Sequence, residues 1–289
     1  MKLCIFDANR VGIIEGSHVF DVTAIFDSLG KPGWPYPPHD WIIGNFDRVK
    51  EELLAFMVGA RRHALADVVL RAPVANPGKI IGVPINYKDH IDEANADAEI
   101  TQGRTYATID EYGLFIKAPT SLIGPRDKVV IPYANRRTDH EVELGIVIGR
   151  KARHVSRADA LKCIFGYCVA LDMTIRGAEF PGFRKSPDTF AVIGPWITTA
   201  DEVADPNALD LELKVNGVTR QKSNTKYLIN DVQRIIEYAS AHYTLHPGDV
   251  IMTGTPAGVG PIVPGDHMWA TVQGLGELDI DIEAAPHGT

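Results

Sequence analysis

The chain has 289 residues, enough for one large domain or for a large domain with a smaller companion. Hydrophobic residues make up 45% and charged residues 23%, which is typical of a soluble globular protein whose core needs no covalent staple. The net charge of −8 disfavours general binding to nucleic acid or to an anionic membrane surface.

The cysteines Cys4, Cys163 and Cys168 are odd in number and form no C-x-x-C motif. This pattern favours a reducing compartment and argues against a disulfide framework or a thiolate zinc site. The opening residues, MKLCIFDANR, lack the apolar core of a signal peptide, and no apolar run approaches about 18 residues. We therefore expect a cytoplasmic protein with no membrane span.

Residues 1–72 are predicted to form a small N-terminal domain. Short strands are expected at Leu3–Phe6, Gly12–Glu15 and His18–Asp21, followed by the proline- and glycine-rich loop GKPGWPYPP. Asp47 is then expected to cap a helix. The apolar stripe of that helix is predicted to be Val49, Leu53, Phe56, Met57 and Ala60.

Residues 73–289 are predicted to form one β-rich α+β domain, entered through the proline-containing stretch RAPVANPGK. Short apolar segments recur between glycines and prolines, and most are too short to be helices: KIIGVP, LFIKAP, KVVIP, VELGIVIG, FGYCVALDM, VIGPWITT, LDLELKVNG, GDVIMTG and HMWATVQG. The clearest helices are expected at Ala158–Cys163 and Asn230–His242. Many short strands with few helices indicate an α+β fold and not a doubly wound sheet.

The glycine-rich stretch TGTPAGVG at Thr253–Gly260 needs a separate interpretation. It fits neither the dinucleotide-binding fingerprint nor the phosphate-binding P-loop, which requires a lysine after its last glycine. It therefore predicts a turn, or a close approach of the backbone to something bound.

The stretch TDHEVELGIVIG at Thr138–Gly149 is strand-like but carries acids. Glu141 and Glu143 share one face, with Cα atoms ~6–7 Å apart, and the alternate positions form an apolar face of Val142, Leu144, Ile146 and Ile148. Two like charges on a partly buried face repel and resist desolvation, which a cation between them would relieve. Oxygen ligands favour Mg²⁺, Mn²⁺ or Ca²⁺ over zinc. Alternatively, this face is solvated and keeps an antiparallel sheet soluble.

A third carboxylate, Asp172, ends the strand-like run FGYCVALD. A lone aspartate at a strand end commonly forms a cap or turn, but two strands that each deliver carboxylates from apolar surroundings favour a shared metal site. Beside the glutamates, Asp139 is expected to be a solvated acid at the strand start. His140 points to the opposite face and is expected to be packed or hydrogen-bonded.

The stretch VPINYKDHIDEAN at Val83–Asn95 offers a candidate general base. If Lys88–Asp97 is helical, His90 and Glu93 lie three residues apart on one face. A carboxylate can hold an imidazole in one tautomer and raise its basicity. The alternative is an ordinary charged surface helix.

Taken together, these motifs resemble the fumarylacetoacetate hydrolase family. The matching stretches are GVPINYKDHIDE, LFIKAPTSLIGPRD, TDHEVELGIVIG, GYCVALDMTIR, RKSPDTFAVIGPW, VNGVTRQKSNT and LHPGDVIMTGTPAGVG, in the family's order and at compatible spacing. They run from Ile80 to the end, and residues 1–72 resemble the small variable domain of many members. The resemblance implies a β-rich, mixed β-sandwich roll and a homodimer.

The resemblance also implies a metal site. Glu141 and Glu143 match the family's metal-binding E-x-E motif, and Asp172 matches the third carboxylate ligand. Mg²⁺ is the implied ion, with Mn²⁺ or Ca²⁺ as alternatives. The implied partner is a small 2-oxo acid substrate.

Further site residues follow from the same resemblance. His90 and Glu93 match the family's H-x-x-E pair, which activates water. Lys185, in RKSPDTF, matches a lysine that points at the substrate. Arg176 and Thr255 match residues near the substrate pocket.

The implied activity is metal-dependent hydrolysis of a C–C bond in a 2,4-dioxo acid, either an acylpyruvate or a diketo sugar acid. The His–Glu pair favours hydrolysis because it supplies a base for water. Decarboxylation or isomerisation of oxaloacetate-like 2-oxo acids, hydration of dienoic acids, and a catalytically inactive metal-binding protein are the alternatives.

Several positions depart from the family pattern. Pro84 and Ile85 replace the usual Gly-Leu, Gly177 stands where an aspartate is frequent, and Glu179 stands where several members carry glutamine. The polar segment Asp97–Gly113 looks longer than usual. These differences bear on the substrate pocket more than on the metal.

Overall fold

The computed structural model describes residues 1–101 and 109–286. The strands are β1 (Lys2–Phe6), β2 (Arg10–Glu15), β3 (His18–Asp21), β4 (Arg62–Ala64), β5 (Leu70–Arg71), β6 (Ile80–Gly82), β7 (Phe115–Lys117), β8 (Leu122–Ile123), β9 (Val129–Ile131), β10 (Thr138–His140), β11 (Val142–Ile148), β12 (Ile164–Asp172), β13 (Thr174–Ile175), β14 (Ala191–Thr199), β15 (Asp210–Val215), β16 (Val218–Asn224), β17 (Val250–Met252), β18 (Gly260–Pro261), β19 (His267–Val272) and β20 (Gly276–Ala284). The helices are α1 (Thr23–Asp27), α2 (Trp41–Met57), α3 (Lys88–Ala96), α4 (Ala98–Thr101), α5 (Ile109–Tyr112), α6 (Pro181–Arg184) and α7 (Val232–His242).

Three sheets are formed by the described residues. The largest has twelve strands in the order β4-β3-β2-β1-β14-β12-β11-β17-β6-β7, with β5 beside β1 and β8 beside β14. A five-stranded sheet has the order β16-β15-β19-β20-β9, and β13-β10-β18 form a small third sheet. The β-rich α+β class predicted from the sequence is confirmed, because short strands dominate and the helices lie around them.

Strand β11 lies between two packed layers, which explains its alternating sequence. Leu144 and Ile146 belong to the core that β11 shares with β15, β19 and β20 of the five-stranded sheet. Val147, on the opposite face, packs in a second core with α2 and β1. With both faces covered, charged side chains can be placed only at the end of the strand, where Glu141 and Glu143 lie.

The N-terminal strands β1–β3 lie where the sequence predicts them, but the following helix begins earlier than expected. The N-cap of α2 is Asp40, whose Oδ1 accepts hydrogen bonds from the backbone amides of Ile42 and Ile43 at 3.0 Å each. The prediction of Asp47 as the cap is therefore wrong, since Asp47 lies inside the helix. The buried residues of α2 are Ile43, Asn45, Phe46, Val49, Leu53 and Met57, so Phe56 and Ala60 do not belong to the stripe.

The other predicted helices are present with altered bounds. α7 spans Val232–His242 and is capped by the Asp231 side chain, whereas only Ala160–Cys163 of the expected Ala158–Cys163 helix is helical, as a 3₁₀ turn. α3 covers Lys88–Ala96 of the predicted Lys88–Asp97. Within the described ranges, no helix has the length and apolar character needed to cross a membrane.

Candidate active site

Three buried carboxylates meet where β11 and β12 pair. Asp172 ends β12, and its backbone amide donates to the carbonyl oxygen of Glu141 at 2.9 Å, which places it directly across the ladder from Glu141. One ligand atom from each of Glu141, Glu143 and Asp172 can be chosen so that all lie within 4.8 Å of one another. All three side chains are almost completely buried. Such a cluster of oxygens suits a hard divalent cation.

Cationic side chains balance two of the three acids. Lys185 Nζ donates to Glu141 Oε2 at 2.7 Å and to Asp172 Oδ2 at 2.6 Å. Lys117 Nζ contacts Asp172 Oδ1, and Arg176 Nη2 donates to Glu141 Oε1 at 3.0 Å. Burial alone would raise the pKa of Glu141, but Lys185 and then Arg176 outweigh it and lower that pKa to about 2.

Glu143 is balanced differently. Its Oε2 accepts a 2.6 Å hydrogen bond from the backbone amide of Gly254, and among the described residues no lysine or arginine pairs with it directly. Burial, followed by the negative charge of Asp172, raises the pKa of Glu143 well above its ordinary value. A divalent cation among the three carboxylates would relieve both effects, so these residues fit a metal ion.

The predicted His–Glu pair is formed on α3. His90 Nδ1 lies 3.0 Å from Glu93 Oε2, and Glu93 Oε1 accepts the backbone amide of Gly258 at 2.9 Å. Burial alone would raise the pKa of Glu93, but hydrogen bonds from His90 and Gly258 lower it overall. An ionised Glu93 favours the tautomer in which Nδ1 carries the proton, and this leaves Nε2 of His90 to accept one.

The glycine-rich loop Thr253–Gly260 connects the carboxylate cluster to the His90–Glu93 pair. Gly254 donates to Glu143 and Gly258 donates to Glu93, and both glycines have positive φ, +95° and +96°. A Cβ at Gly258 would meet the Arg220 carbonyl oxygen at 2.0 Å. The backbone makes a close approach here, but to two carboxylates of the protein itself, so the predicted approach to something bound stays a prediction.

Two buried polar residues were missed by the sequence reasoning. Gln221 Nε2 donates to Thr255 Oγ1 at 2.7 Å, and Gln221 Oε1 accepts a hydrogen bond from the backbone amide of Val142 at 3.0 Å. The side chain of Gln221 therefore joins the loop Thr253–Gly260 to β11. Lys117 is fully buried against Asp172. The signal for Lys117 was a lysine inside the apolar run LFIKAP, whereas the exposed-looking sequence of β16 gives no signal for Gln221.

A cavity of about 410 Å³ opens over these groups. His90, Lys185, Arg176, Thr255 and the three carboxylates line its polar end. Its remaining wall is mainly apolar and includes Val83, Pro84, Ile85, Ala94, Ile100, Leu114, Phe115, Phe180 and Pro181. The cavity therefore offers one charged end and one end suited to an apolar or extended group.

The neighbours of the carboxylates differ from expectation at one position. Asp139 is fully buried, not solvated, because Arg137 and Arg176 both donate to it. His140 is buried as expected, with Nδ1 3.2 Å from Gln221 Oε1. Glu179 pairs with Arg136 at 2.8 Å. The middle of the expected long segment Asp97–Gly113, residues 102–108, lies outside the described residues.

The fold is of mixed β-sandwich type with a carboxylate cluster that fits a divalent cation, and comparison with known proteins identifies the family. A family model for the C-terminal domain of fumarylacetoacetate (FAA) hydrolase matches residues 79–283. The chain belongs to the fumarylacetoacetate hydrolase family.

Individual relatives cover the whole chain. Maleylpyruvate hydrolase from Aquipseudomonas alcaligenes is 47% identical, over 98% of this chain and 100% of the relative. The crystal structure of maleylpyruvate hydrolase from Sphingobium sp. SYK-6 with manganese(II) and pyruvate is 39% identical, has a TM-score of 0.85, and is matched over 99% of this chain and 100% of that chain. A 2-hydroxyhepta-2,4-diene-1,7-dioate isomerase from Mycobacterium marinum is 30% identical with a TM-score of 0.74 over 99% of this chain and 100% of that one.

Proposed function

We propose that this protein is a divalent-metal-dependent hydrolase that cleaves a C–C bond of a 2,4-dioxo acid of the acylpyruvate class. The observation that carries the proposal is the His90–Glu93 pair, held at 3.0 Å, in the same cavity as the carboxylate cluster. The pair supplies a base for water, and the cluster suits an ion that binds a 2-oxo acid. Similarity to two maleylpyruvate hydrolases supports the same substrate class.

Glu141, Glu143 and Asp172 would hold the ion. A similar structure contains manganese(II), and oxygen-only ligands suit Mg²⁺ equally, with Ca²⁺ as a further alternative. When bound, the ion would supply Lewis-acid polarisation of the substrate's oxygens and would neutralise negative charge. Lys117 and Lys185 would orient Asp172 for that role.

His90 and Glu93 would act on water. Nε2 of His90 takes a proton from water while Glu93 holds Nδ1, and the resulting hydroxide adds to the distal carbonyl carbon of the substrate. The bond between that carbon and the adjacent methylene carbon then breaks, and its electron pair passes to the methylene carbon as a pyruvate enolate. The proton from His90 returns to that carbon, giving pyruvate and a carboxylic acid.

Lys185, Arg176 and Thr255 would surround the charged end of the substrate. The ammonium of Lys185 lies at the polar end of the cavity, where it would stabilise the oxyanion that develops on hydroxide attack. Arg176 adds positive charge beside Glu141, and Thr255 fixes the cavity wall through its hydrogen bond to the Val142 carbonyl oxygen at 2.8 Å. The apolar wall would receive the acyl group.

Substrate consumption tests the proposal. Acetylpyruvate, maleylpyruvate and oxaloacetate would each be followed by ultraviolet absorbance with purified enzyme, with EDTA, and after re-addition of Mn²⁺ or Mg²⁺. We expect metal-dependent loss of an acylpyruvate with equimolar pyruvate formed. Loss of oxaloacetate alone would replace the proposal with a decarboxylase, and isomerised substrate without pyruvate would replace it with an isomerase.

A metal-dependent rise in melting temperature with no turnover of any of the three acids would also count against the proposal. That outcome is the signature of a catalytically inactive metal-binding protein, because an ion that binds only the folded state stabilises it without chemistry.

A further inference from the structure

A chain of ion pairs leads outward from the carboxylate cluster. Arg176 donates to Glu141 Oε1 at 3.0 Å and, through Nε, to Asp139 Oδ2 at 2.7 Å. Arg137 holds the same aspartate with two bonds, from Nε to Oδ1 at 2.7 Å and from Nη2 to Oδ2 at 3.0 Å. Asp139 is fully buried, so its position is fixed by the two arginines.

The far side of Arg137 reaches the segment that follows the His–Glu helix. Its Nη1 donates to Asp97 Oδ2 at 2.9 Å and to Glu99 Oε2 at 3.0 Å. Asp97 is the C-cap residue of α3, and Glu99 lies in α4. One guanidinium therefore bonds the buried network on one side and the end of α3 on the other.

Helix α3 depends on such contacts for its position. It has nine residues, of which only His90 and Ala94 are buried, and no side chain caps its N-terminus. A helix this short has little stability of its own, so tertiary contacts decide where it lies. Its side-chain anchors include Glu93 on Gly258 in the middle and Asp97 on Arg137 at the end.

We propose that Arg137 is a positioning residue. It fixes the C-terminal end of α3 to the buried ion pairs around the carboxylate cluster, so that His90 keeps its position relative to that cluster. The planar guanidinium suits this role because it presents several donors in fixed directions, and here it serves three carboxylates at once. The proposal rests on the proposed function only in that it assigns His90 the role of base.

The first test removes the negative charges on the helix side of the contact and leaves the buried side intact. The Asp97→Asn/Glu99→Gln variant keeps the Arg137–Asp139 ion pair, so the ion pairs around the carboxylate cluster are not disturbed. Hydrogen exchange would be measured for residues 88–96, with α7 as the internal reference, together with kcat, KM and Mn²⁺ affinity. We expect exchange in 88–96 to rise about fivefold, from the loss of partly exposed ion pairs. We expect kcat to fall by a similar factor, with Mn²⁺ affinity unchanged.

The second test asks whether Arg137 and its two helix partners act as one unit. Arg137→Gln should raise hydrogen exchange in residues 88–96 at least as much as Asp97→Asn/Glu99→Gln does. Combining the three substitutions should raise exchange no further, because the effects of substitutions within one contact are not additive. Arg136→Gln is the matched control, because the neighbouring Arg136 pairs with Glu179 and none of its hydrogen bonds in the described residues reaches α3 or α4. It should leave exchange in 88–96 unchanged.

Unchanged exchange in 88–96 for Asp97→Asn/Glu99→Gln would overturn the proposal, and so would full additivity in the combined variant. If Arg137→Gln does not fold, the two substitutions on the helix side decide the question alone. Exchange does not depend on turnover, so a wrong substrate assignment would leave this test valid and would appear only in the activity measurements.

Discussion

Glu143 is the residue at which the charge of the site is least balanced. Glu141 and Asp172 each contact cationic side chains, whereas the hydrogen bond to Glu143 comes from the neutral backbone of Gly254. A buried carboxylate without a paired cation is unfavourable unless it is protonated or binds an ion. A divalent ion among the three carboxylates would supply positive charge beside Glu143.

His90 is the residue on which turnover should depend most strongly. We expect His90→Ala to lower kcat by about 10²–10⁴-fold, the range associated with a general base. Mn²⁺ affinity, measured by titration calorimetry, should stay close to that of the wild type, because the imidazole is not among the three carboxylate ligands.

The control for that variant is Asp89→Ala, the neighbouring exposed residue of α3. It should leave kcat within about twofold of the wild type, as expected for a surface change away from special contacts. Near-normal turnover of His90→Ala would remove the imidazole from the mechanism.

At the residue scale, the sequence was informative where spacing alone places side chains together. Glu141 and Glu143 share a face because strands alternate, and His90 and Glu93 share a face because helices repeat about every 3.6 residues. Lys117 could not be found this way, because its partner Asp172 is 55 residues away along the chain. The burial of Asp139 is hidden in the sequence for the same reason, since one of the two arginines that donate to it, Arg176, follows β13 and is 37 residues away along the chain.

The loop Thr253–Gly260 is the element that unites the site. Its backbone amides donate hydrogen bonds to Glu143 and Glu93, so one loop fixes the carboxylate cluster relative to the His90–Glu93 pair. Glycine-rich composition predicts a turn or a close approach to something bound, and it does not reveal the two carboxylates, because backbone amides carry no side-chain signature.

Gly258→Ala should damage this element. The new Cβ would lie 2.0 Å from the Arg220 carbonyl oxygen at a φ of +96°, so the loop must move and its bond to Glu93 must lengthen. We expect a loss of about 2 kcal/mol or more in the free energy of unfolding and a fall in kcat of about tenfold. Chemical denaturation and steady-state kinetics would measure these.

Gly265→Ala is the matched control, because Gly265 has the same φ of +96° and nothing within 4 Å of an added Cβ. It should cost about 1 kcal/mol of stability through backbone strain alone and leave kcat unchanged. Equal effects of the two substitutions on kcat would show that the loop contact with Glu93 does not matter for turnover.

Among the helices, the sequence predicted existence better than boundaries. α7 was found almost to the residue because the Asp231 cap and the apolar periodicity agree. The predicted start of α2 lies seven residues, or about two turns, too late, since Asp40 and Asp47 both resemble caps and only the fold shows which backbone amides are unpaired.

At the scale of the whole molecule, long-range strand pairing creates the site. β11 and β12 lie near the centre of the twelve-stranded sheet and bring residues 141–143 opposite residues 170–172. The five-stranded sheet covers one face of β11 and α2 covers the other, and the three carboxylates line the cavity at the end of the strand. Local patterns predicted the fold class, whereas the sheet order and the cavity depend on contacts that no single segment encodes.

Three expectations stay predictions at this scale: the homodimer, the cytoplasmic location and a domain boundary between residues 72 and 73. β1 continues the large sheet by pairing antiparallel with β14, and α2 shares a core with β12 and β14. The first residues of the chain are therefore packed against the part that carries the site.

The most direct measurement of the central claim, that His90-activated water cleaves the C–C bond of an acylpyruvate, is isotope incorporation. Acetylpyruvate would be consumed by Mn²⁺-loaded enzyme in H₂¹⁸O, and the products analysed by mass spectrometry within a time at which an enzyme-free control shows little carbonyl exchange. Hydrolysis predicts acetate that carries one solvent ¹⁸O, formed in equal amount with pyruvate. Consumption without labelled acetate would contradict the account, because water would then not be the attacking group.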